Sequence, residues 1–263
     1  MKKLNIGASF KFAFTVYQKN FSLFLSYGAV LFAVHAGFYY LTLSREALFA
    51  SLDPLSQQAI TLVFSLMFIF IASIIQIFYI RMGLINYENP RTIPFGEIKL
   101  ASFSLIMRFF IVQLVLVFLV MLGALLFIIP GIILILCYFF VTEVLVDQDK
   151  SARKVFRISE KLTEGVKWSL LGYAFIIVLF ATPISAFNWY YFGFINPPPL
   201  WVNLIQVAYS SFLISPLISQ SSVYLYKDIK KQQEEIESQT KVISTPSQAD
   251  STPTPTMNSI PNS

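Results

Sequence analysis

Between Trp168 and Tyr226 the chain runs for 59 residues without one Asp, Glu, Lys or Arg. As a single helix that stretch would be about 90 Å long, against a bilayer hydrocarbon core of roughly 30 Å. Asn196-Pro197-Pro198-Pro199 interrupts it near the middle, where three prolines break any helix. The run therefore folds back on itself within lipid, and two spans are predicted, at about residues 168–191 and 202–226. Composition agrees: 56% of the 263 residues are apolar and 13% are charged, about half the charge of an ordinary soluble domain.

The remaining apolar runs are divided by the roughly 20 residues that one helical crossing requires. Phe21 to Leu43 holds a first span (21–43), in which His35 is the only ionisable group. It is too long and too aromatic, and lacks the small-residue cleavage site, for a removable signal peptide. A second span (60–81) ends at Arg81. Phe109 to Thr142 is uncharged for 34 residues, too long for one crossing, and Pro130-Gly131 predicts a tight reversal between Ile129 and Ile132. This gives a third span (107–129) and a fourth (130–146), with Glu143 inside or at the edge of the membrane.

Six spans with the N-terminus inside put Lys2, Lys3, Lys11, Lys19, then Arg81, Arg91, Lys99, Arg108, then Lys150, Arg153, Lys154, Arg157, Lys161, Lys167, and finally Lys227, Lys230, Lys231, Lys241 on the cytoplasmic side. Arg45 alone lies outside. The positive-inside rule thus predicts a multi-pass protein of the inner (cytoplasmic) membrane with both termini in the cytoplasm. A five-span alternative would put the six-cation segment outside. The external surface is short, so no external domain is expected.

Each outward-going span follows a segment with helical apolar spacing and a basic opposite face: Phe10, Ala13, Phe14, Tyr17, Phe21; then Phe95, Ile98, Ser102, Leu105; then Ala152, Val155, Phe156, Ser159, Leu162. These predict three short amphipathic helices at the cytoplasmic interface. Lys150, Arg153, Lys154, Arg157 and Lys161 are the candidate contacts to lipid headgroups. Three copies of one module, or merely basic inner loops, both fit the pattern. The six-span domain is expected over residues 1–230. Residues 231–263 form a cytoplasmic tail whose last helix can continue to Glu237, disordered from about 244, where Ser, Thr, Pro and Gln dominate.

Few side chains here can carry chemistry. One cysteine and one histidine exclude a disulfide framework and the usual zinc sites, so no metal and no cofactor is implied. Phosphate-cradling loops and nucleophile elbows are absent, and no catalytic residue is assigned. Glu143 is the main intramembrane candidate, either ion-paired to Arg108 or Arg81 as a helix lock or serving as a substrate or proton site. His35 is either a neutral imidazole bonded to a neighbouring helix or a functional group. Gln76, Gln113, Gln206 and Ser211, Ser215, Ser219 and Ser222 need partners in lipid. They serve as packing surfaces or as a polar path, with Pro183 and Pro216 supplying kinks.

Ile129-Pro130-Gly131-Ile132, followed by Ser151-Ala152, Ser159, Leu162-Thr163 and Gly165, resembles the membrane domain of the glycerophosphodiester phosphodiesterase membrane-domain family and its stand-alone six-span relatives. Ser9-Phe10 through Tyr17-Gln18-Lys19-Asn20-Phe21 and Tyr224-Leu225-Tyr226-Lys227-Asp228 are similar to its start and end, so about residues 5–230 are covered. The resemblance implies a six-span fold in which Pro130, Gly131, Ala152, Ser159, Leu162, Thr163 and Gly165 are structural. Cys137 and Glu143 stand where comparable members carry a basic residue and then a proline. The phosphodiesterase activity belongs to a separate catalytic domain, and its ligand set is missing here.

The chain is thus expected to be an all-α, six-span membrane protein. Its leading functional reading is a non-catalytic module that binds anionic lipid or a membrane partner and supports envelope organisation. The expected partners are membrane lipids, anionic ones first, with a membrane protein or a homo-oligomer as alternatives and no nucleic acid. A small-solute or lipid transporter using Glu143 is the second reading, for which a water-accessible cavity is the requirement. A membrane-embedded lipid enzyme is the third.

Overall fold

The computed structural model describes residues 4–44, 49, 51–98, 101–126, 128–183 and 200–244, and among these every regular element is helical. The elements are α1 (Ile6–Lys19), α2 (Phe21–Leu43), α3 (Pro54–Asn86), α4 (Phe103–Leu126), α5 (Ile128–Cys137), α6 (Val141–Gln148), α7 (Ala152–Thr163), α8 (Lys167–Ala181) and α9 (Leu200–Tyr209). A π-helical turn (Ser210–Ile214) then joins α9 to α10 (Ser215–Ser244). Five segments are long and apolar enough to cross a membrane: Phe21–Leu41, Pro54–Asn86, Phe103–Gly123, Ile129–Gln148 and Leu200–Gln239. The pair α7 and α8, bent by 97°, supplies a sixth if it counts as one span. Phe118, Met121 and Leu125 on α4 and Phe175 and Leu179 on α8 point outward, an apolar surface that suits lipid and would aggregate in water. The chain is an all-α polytopic membrane protein.

Element boundaries follow local chemistry. Asn5 caps α1 through a bond from the Ala8 amide, 3.0 Å. Asp53 caps α3 by accepting from the amides of Leu55 and Ser56, both 3.0 Å, and from the Ser56 hydroxyl, 2.6 Å. The Ser56 hydroxyl first, and then the free amides of the helix start, hold the Asp53 carboxyl below its ordinary range. With that cap and Pro54 at the first position, the second membrane helix is longer at both ends than the apolar run alone predicts. The first begins and ends at the predicted residues.

Three expectations need correction. Pro130 and Gly131 do not form the reversal; they lie inside α5, which packs against α4, and residue 127 between the two helices is outside the described set. Proline is tolerated in the first turn of a helix because its missing N–H has no acceptor there. Gly131 is a contact point: a Cβ built on Gly123 of α4 would lie 2.9 Å from the Gly131 Cα. Among the described residues the helix expected around Phe95–Leu105 does not form: residues 91–98 make irregular and turn structure and α4 starts only at Phe103. Phe95 is exposed while Ile93 and Ile98 are buried, so the stripe read there was a coincidence of spacing. Finally, α1 buries Ser9, Phe12, Ala13, Val16 and, just past its end, Asn20, while Phe14 and Phe21 are exposed. The predicted stripe was rotated because α1 packs along α10, with Phe12 against Tyr224, instead of facing lipid alone.

The segment replacing the missing helix is held by Asn20. Its Nδ2 donates to the carbonyls of Val16 and Arg91 (3.1 and 3.0 Å), and its Oδ1 accepts from the Ile93 amide, 2.7 Å. Asn86 Oδ1 accepts from the Arg91 amide, 2.7 Å. Two buried amide side chains thereby satisfy backbone groups of Arg91 and Ile93 that no helix or strand pairs. The third amphipathic helix does form, as α7, burying Val155, Ser159, Leu162 and Thr163 and half-burying Ala152. Gly165, with φ +82°, follows it in the left-handed conformation that glycine adopts without penalty. Residues 184–199 and 245–263, which include the end of the fifth predicted span, the Asn-Pro-Pro-Pro turn and the Ser/Thr/Pro-rich tail, lie outside the described residues.

Candidate functional site

The local fold around Glu143 begins with a broken helix. α5 stops at Cys137 and α6 starts at Val141, so the Cys137 carbonyl and the Phe140 amide need partners from outside the helix. α7 supplies them from a side chain: Ser159 Oγ donates to the Cys137 carbonyl (3.1 Å) and accepts from the Phe140 amide (3.2 Å), and Thr163 Oγ1 donates to the same carbonyl (3.2 Å). Two residues of the Ser-x-x-Leu-Thr pattern thus stitch the break. The re-started helix places Thr142 and Glu143 in its first turn, with Glu143 4% exposed.

Glu143 is held by hydroxyls. Ser222 Oγ donates to Oε1 (2.6 Å) and Thr142 Oγ1 to Oε2 (2.9 Å). The expected helix-locking ion pair does not form: Arg108 pairs with Asp149 across 2.7 Å, Arg81 sits half-buried on α3, and no Lys or Arg among the described residues forms an ion pair with Glu143. One turn further along α6, Asp147 takes the cations instead. It accepts from Lys227 (2.8 Å), Lys230 (2.7 Å) and the Tyr226 hydroxyl (2.6 Å) of α10. Sequence reasoning missed this second rung, although the i, i+4 spacing of Glu143 and Asp147 matches that of Ser222 and Tyr226 on the facing helix.

The second break is on the opposite wall. Pro216 has no N–H for the carbonyl four residues back, Phe212, and at this point the helix widens into the π-turn Ser210–Ile214. Tyr17 of α1 donates its hydroxyl to that freed carbonyl at 2.9 Å. The π-turn also approaches α2 closely, as a Cβ on Gly28 would meet Phe212 at 2.7 Å and the Ser211 carbonyl at 3.2 Å. Pro183, by contrast, lies two residues beyond the end of α8 at Ala181 and does not kink a described span.

Between these two breaks lies a cavity of about 460 Å³, bounded by Leu31 and His35 of α2, Gln76 of α3, Phe139, Thr142 and Glu143 at the α5–α6 break, and Ser210, Ile214, Ser215, Ile218, Ser219 and Ser222. By helix rise, Ser222 is about 8 Å and Ser210 about 25 Å from Lys227, so against about 30 Å of hydrocarbon the cavity extends from near the basic end past the midplane. His35 Nδ1 donates to the Leu31 carbonyl, 3.0 Å, and its ring meets Phe68 edge-on; its hydrogen bond is to its own helix and not to a neighbour. Gln113 donates to Gln76 Oε1, 3.1 Å, from outside the wall. Ser219 Oγ is buried and has no hydrogen-bond partner, the kind of group that a guest or water completes.

The structure therefore brings Glu143, His35, Gln76, Ser215, Ser219 and Ser222 together and leaves Arg108 outside the lining, paired with Asp149. Ser211 is also buried, without a partner, but lies outside the cavity wall. Thr142, Ser210 and Phe139 join the site unannounced by the sequence pattern; Thr142 and Ser210 adjoin Glu143 and Ser211, which was the only signal they carried. Lys150, Arg153, Lys154, Arg157 and Lys161 are exposed along and just before α7. Among the described residues no group of three His, Cys, Asp or Glu is placed to hold a metal ion. No family model, curated protein or solved structure matches the chain.

Proposed function

We propose that this chain binds a small polar solute in the cavity at Glu143 and passes it across the bilayer. The observation that supports the reading is a cavity of about 460 Å³ with a buried, cation-free carboxyl in its wall, a size in the range of small-molecule sites. A bundle that served only to scaffold would gain stability by filling such a space with apolar side chains. The two helix breaks flank the cavity, as expected where irregular backbone lines a route through a membrane protein. On this reading the basic end faces the cytoplasm of an inner membrane, by the positive-inside rule, and the function is non-catalytic. Proteoliposomes carrying the full chain should move at least one of methylammonium, glycerol or lactate faster than protein-free vesicles. Ser219→Phe, which fills the cavity from α10, should return that flux to the protein-free rate. Equal flux with and without protein for all three probes overturns the reading.

A second reading is favoured by α7. Arg153, Lys154 and Arg157, with Lys150 before them and Lys161, which pairs with Glu237 at 2.9 Å, after, are exposed on a helix lying across the direction of α8, bent from it by 97°. That placement fits cations meeting anionic headgroups, each worth about 1 kcal/mol near a charged surface. In native mass spectrometry, replacing Arg153, Lys154, Arg157 and Lys161 with Gln should cut the number of retained phosphatidylglycerol molecules at least by half; unchanged retention removes the reading.

A further inference from the structure

The walls of the cavity hold no cation, and that absence selects a guest. Of the twelve residues that line it, Glu143 alone has an acidic side chain and none is Lys or Arg. The cations nearest along α10, Lys227 and Lys230, are bound to Asp147, and Arg108 is bound to Asp149. Both Glu143 oxygens accept one hydroxyl each and retain a further lone pair. His35 spends its Nδ1 proton on Leu31, so its Nε2, when the ring is neutral, is an acceptor. Phe139 adds an aromatic ring to the wall, which also attracts cations.

We infer that the cavity takes a small organic cation of the ammonium type, with Glu143 as its counter-charge and the Ser219 hydroxyl as a polar contact. The inference rests on the cavity-binding reading above and names its substrate class. A carboxylate in this setting, met by two hydroxyls and its own backbone amide but by no cation, is less well solvated than in water. A cationic guest supplies the missing opposite charge without crowding, because the space is far larger than a bare metal ion needs. An anionic guest would meet Glu143 with no compensating Lys or Arg, and a neutral one would leave the charge as it found it. Asp147, the other carboxylate within one turn, does not compete because its oxygens already hold two ammonium groups and a phenol.

The test uses the full chain in lipid nanodiscs with Cys137, its one cysteine, replaced by Ala and Ser215 of the cavity wall replaced by Cys. Labelling rates are measured with a cationic thiol reagent, trimethylammonioethyl methanethiosulfonate, and an anionic one, sulfonatoethyl methanethiosulfonate. Each rate is divided by that reagent's rate with free 2-mercaptoethanol. The cationic reagent should label about tenfold faster after this correction, the scale on which a charged, low-dielectric cleft concentrates counter-ions. Glu143→Gln should abolish the preference and Glu143→Asp should keep it, so a change of fold is told apart from a change of charge. Equal corrected rates in the unmutated wall, or a preference that survives Glu143→Gln, overturn the cation assignment while leaving a solute cavity in place. Labelling by neither reagent overturns the cavity reading itself.

Discussion

Asp147→Ala is expected to lower the unfolding free energy by about 2–4 kcal/mol, between the values for exposed and fully buried ion pairs. The carboxylate is only 14% exposed and Lys227 and Lys230 are 24% and 28% exposed, so removing it leaves two ammonium groups partly out of water with no opposite charge. The Tyr226 hydroxyl also loses its acceptor, keeping only the long bond from Gln148 at 3.3 Å. α6 magnifies the effect, because a helix of eight residues is too short to hold itself together. Two rungs one turn apart tie it to α10, Glu143 to Ser222 and Asp147 to the lysines. Asp147→Asn, which keeps the shape and an acceptor but not the charge, should cost about half as much. Unfolding in mixed micelles with rising dodecyl sulfate, followed by tryptophan fluorescence, measures both. An Asp147→Ala chain within about 0.5 kcal/mol of the unmutated one would show that the cluster contributes nothing to stability.

Gly123→Leu should be nearly as damaging, at about 2–3 kcal/mol or more, through overpacking. A Cβ at Gly123 would lie 2.9 Å from the Gly131 Cα and 3.2 Å from its amide nitrogen, and backbone cannot swing aside as a side chain can. The α4–α5 hairpin must then part, and with it the packing that seats α6 beside the cavity. Gly172 of α8 has nothing within 4 Å of a built Cβ, so Gly172→Ala should be neutral or stabilising by up to about 1 kcal/mol through helix propensity. The same micelle titration reads the pair; equal behaviour of Gly123→Leu and Gly172→Ala would deny the close glycine contact.

Much of the fold was legible because lipid imposes a one-dimensional rule. A helix that must cross about 30 Å of hydrocarbon needs an uncharged run of fixed length, and Phe21–Leu43 shows this directly. Amphipathic spacing was a weaker guide. It found α7, whose buried residues recur every three to four positions, but put a helix at Phe95–Leu105, where Pro94 and Gly96 favour turns and Asn20 binds the backbone of Arg91 and Ile93. On α1 it chose the wrong face, since Phe10, Phe14 and Phe21 look as apolar as Phe12 and Val16, and only contact with α10 separates them.

The candidate site divides the same way. Glu143, His35 and Gln76 stood out in sequence because polar groups in apolar runs are costly and few. That they share one space, and that Arg108 does not join them, was not readable, because each sits on a different helix and their approach depends on how those helices cross. Pro216 announced a disturbance, but the use made of it, a π-turn whose spare carbonyl is met by Tyr17, involves partners 195 residues apart.

The sequence by itself determined that the chain is helical and crosses lipid, since charge-free length is a property of each segment alone and needs no neighbour to act. Which carboxylate is paired and which is left without a cation was decided only by the tertiary structure. One turn of α6 separates Asp147 from Glu143, and the register of α10 sets lysines opposite the first and a serine opposite the second.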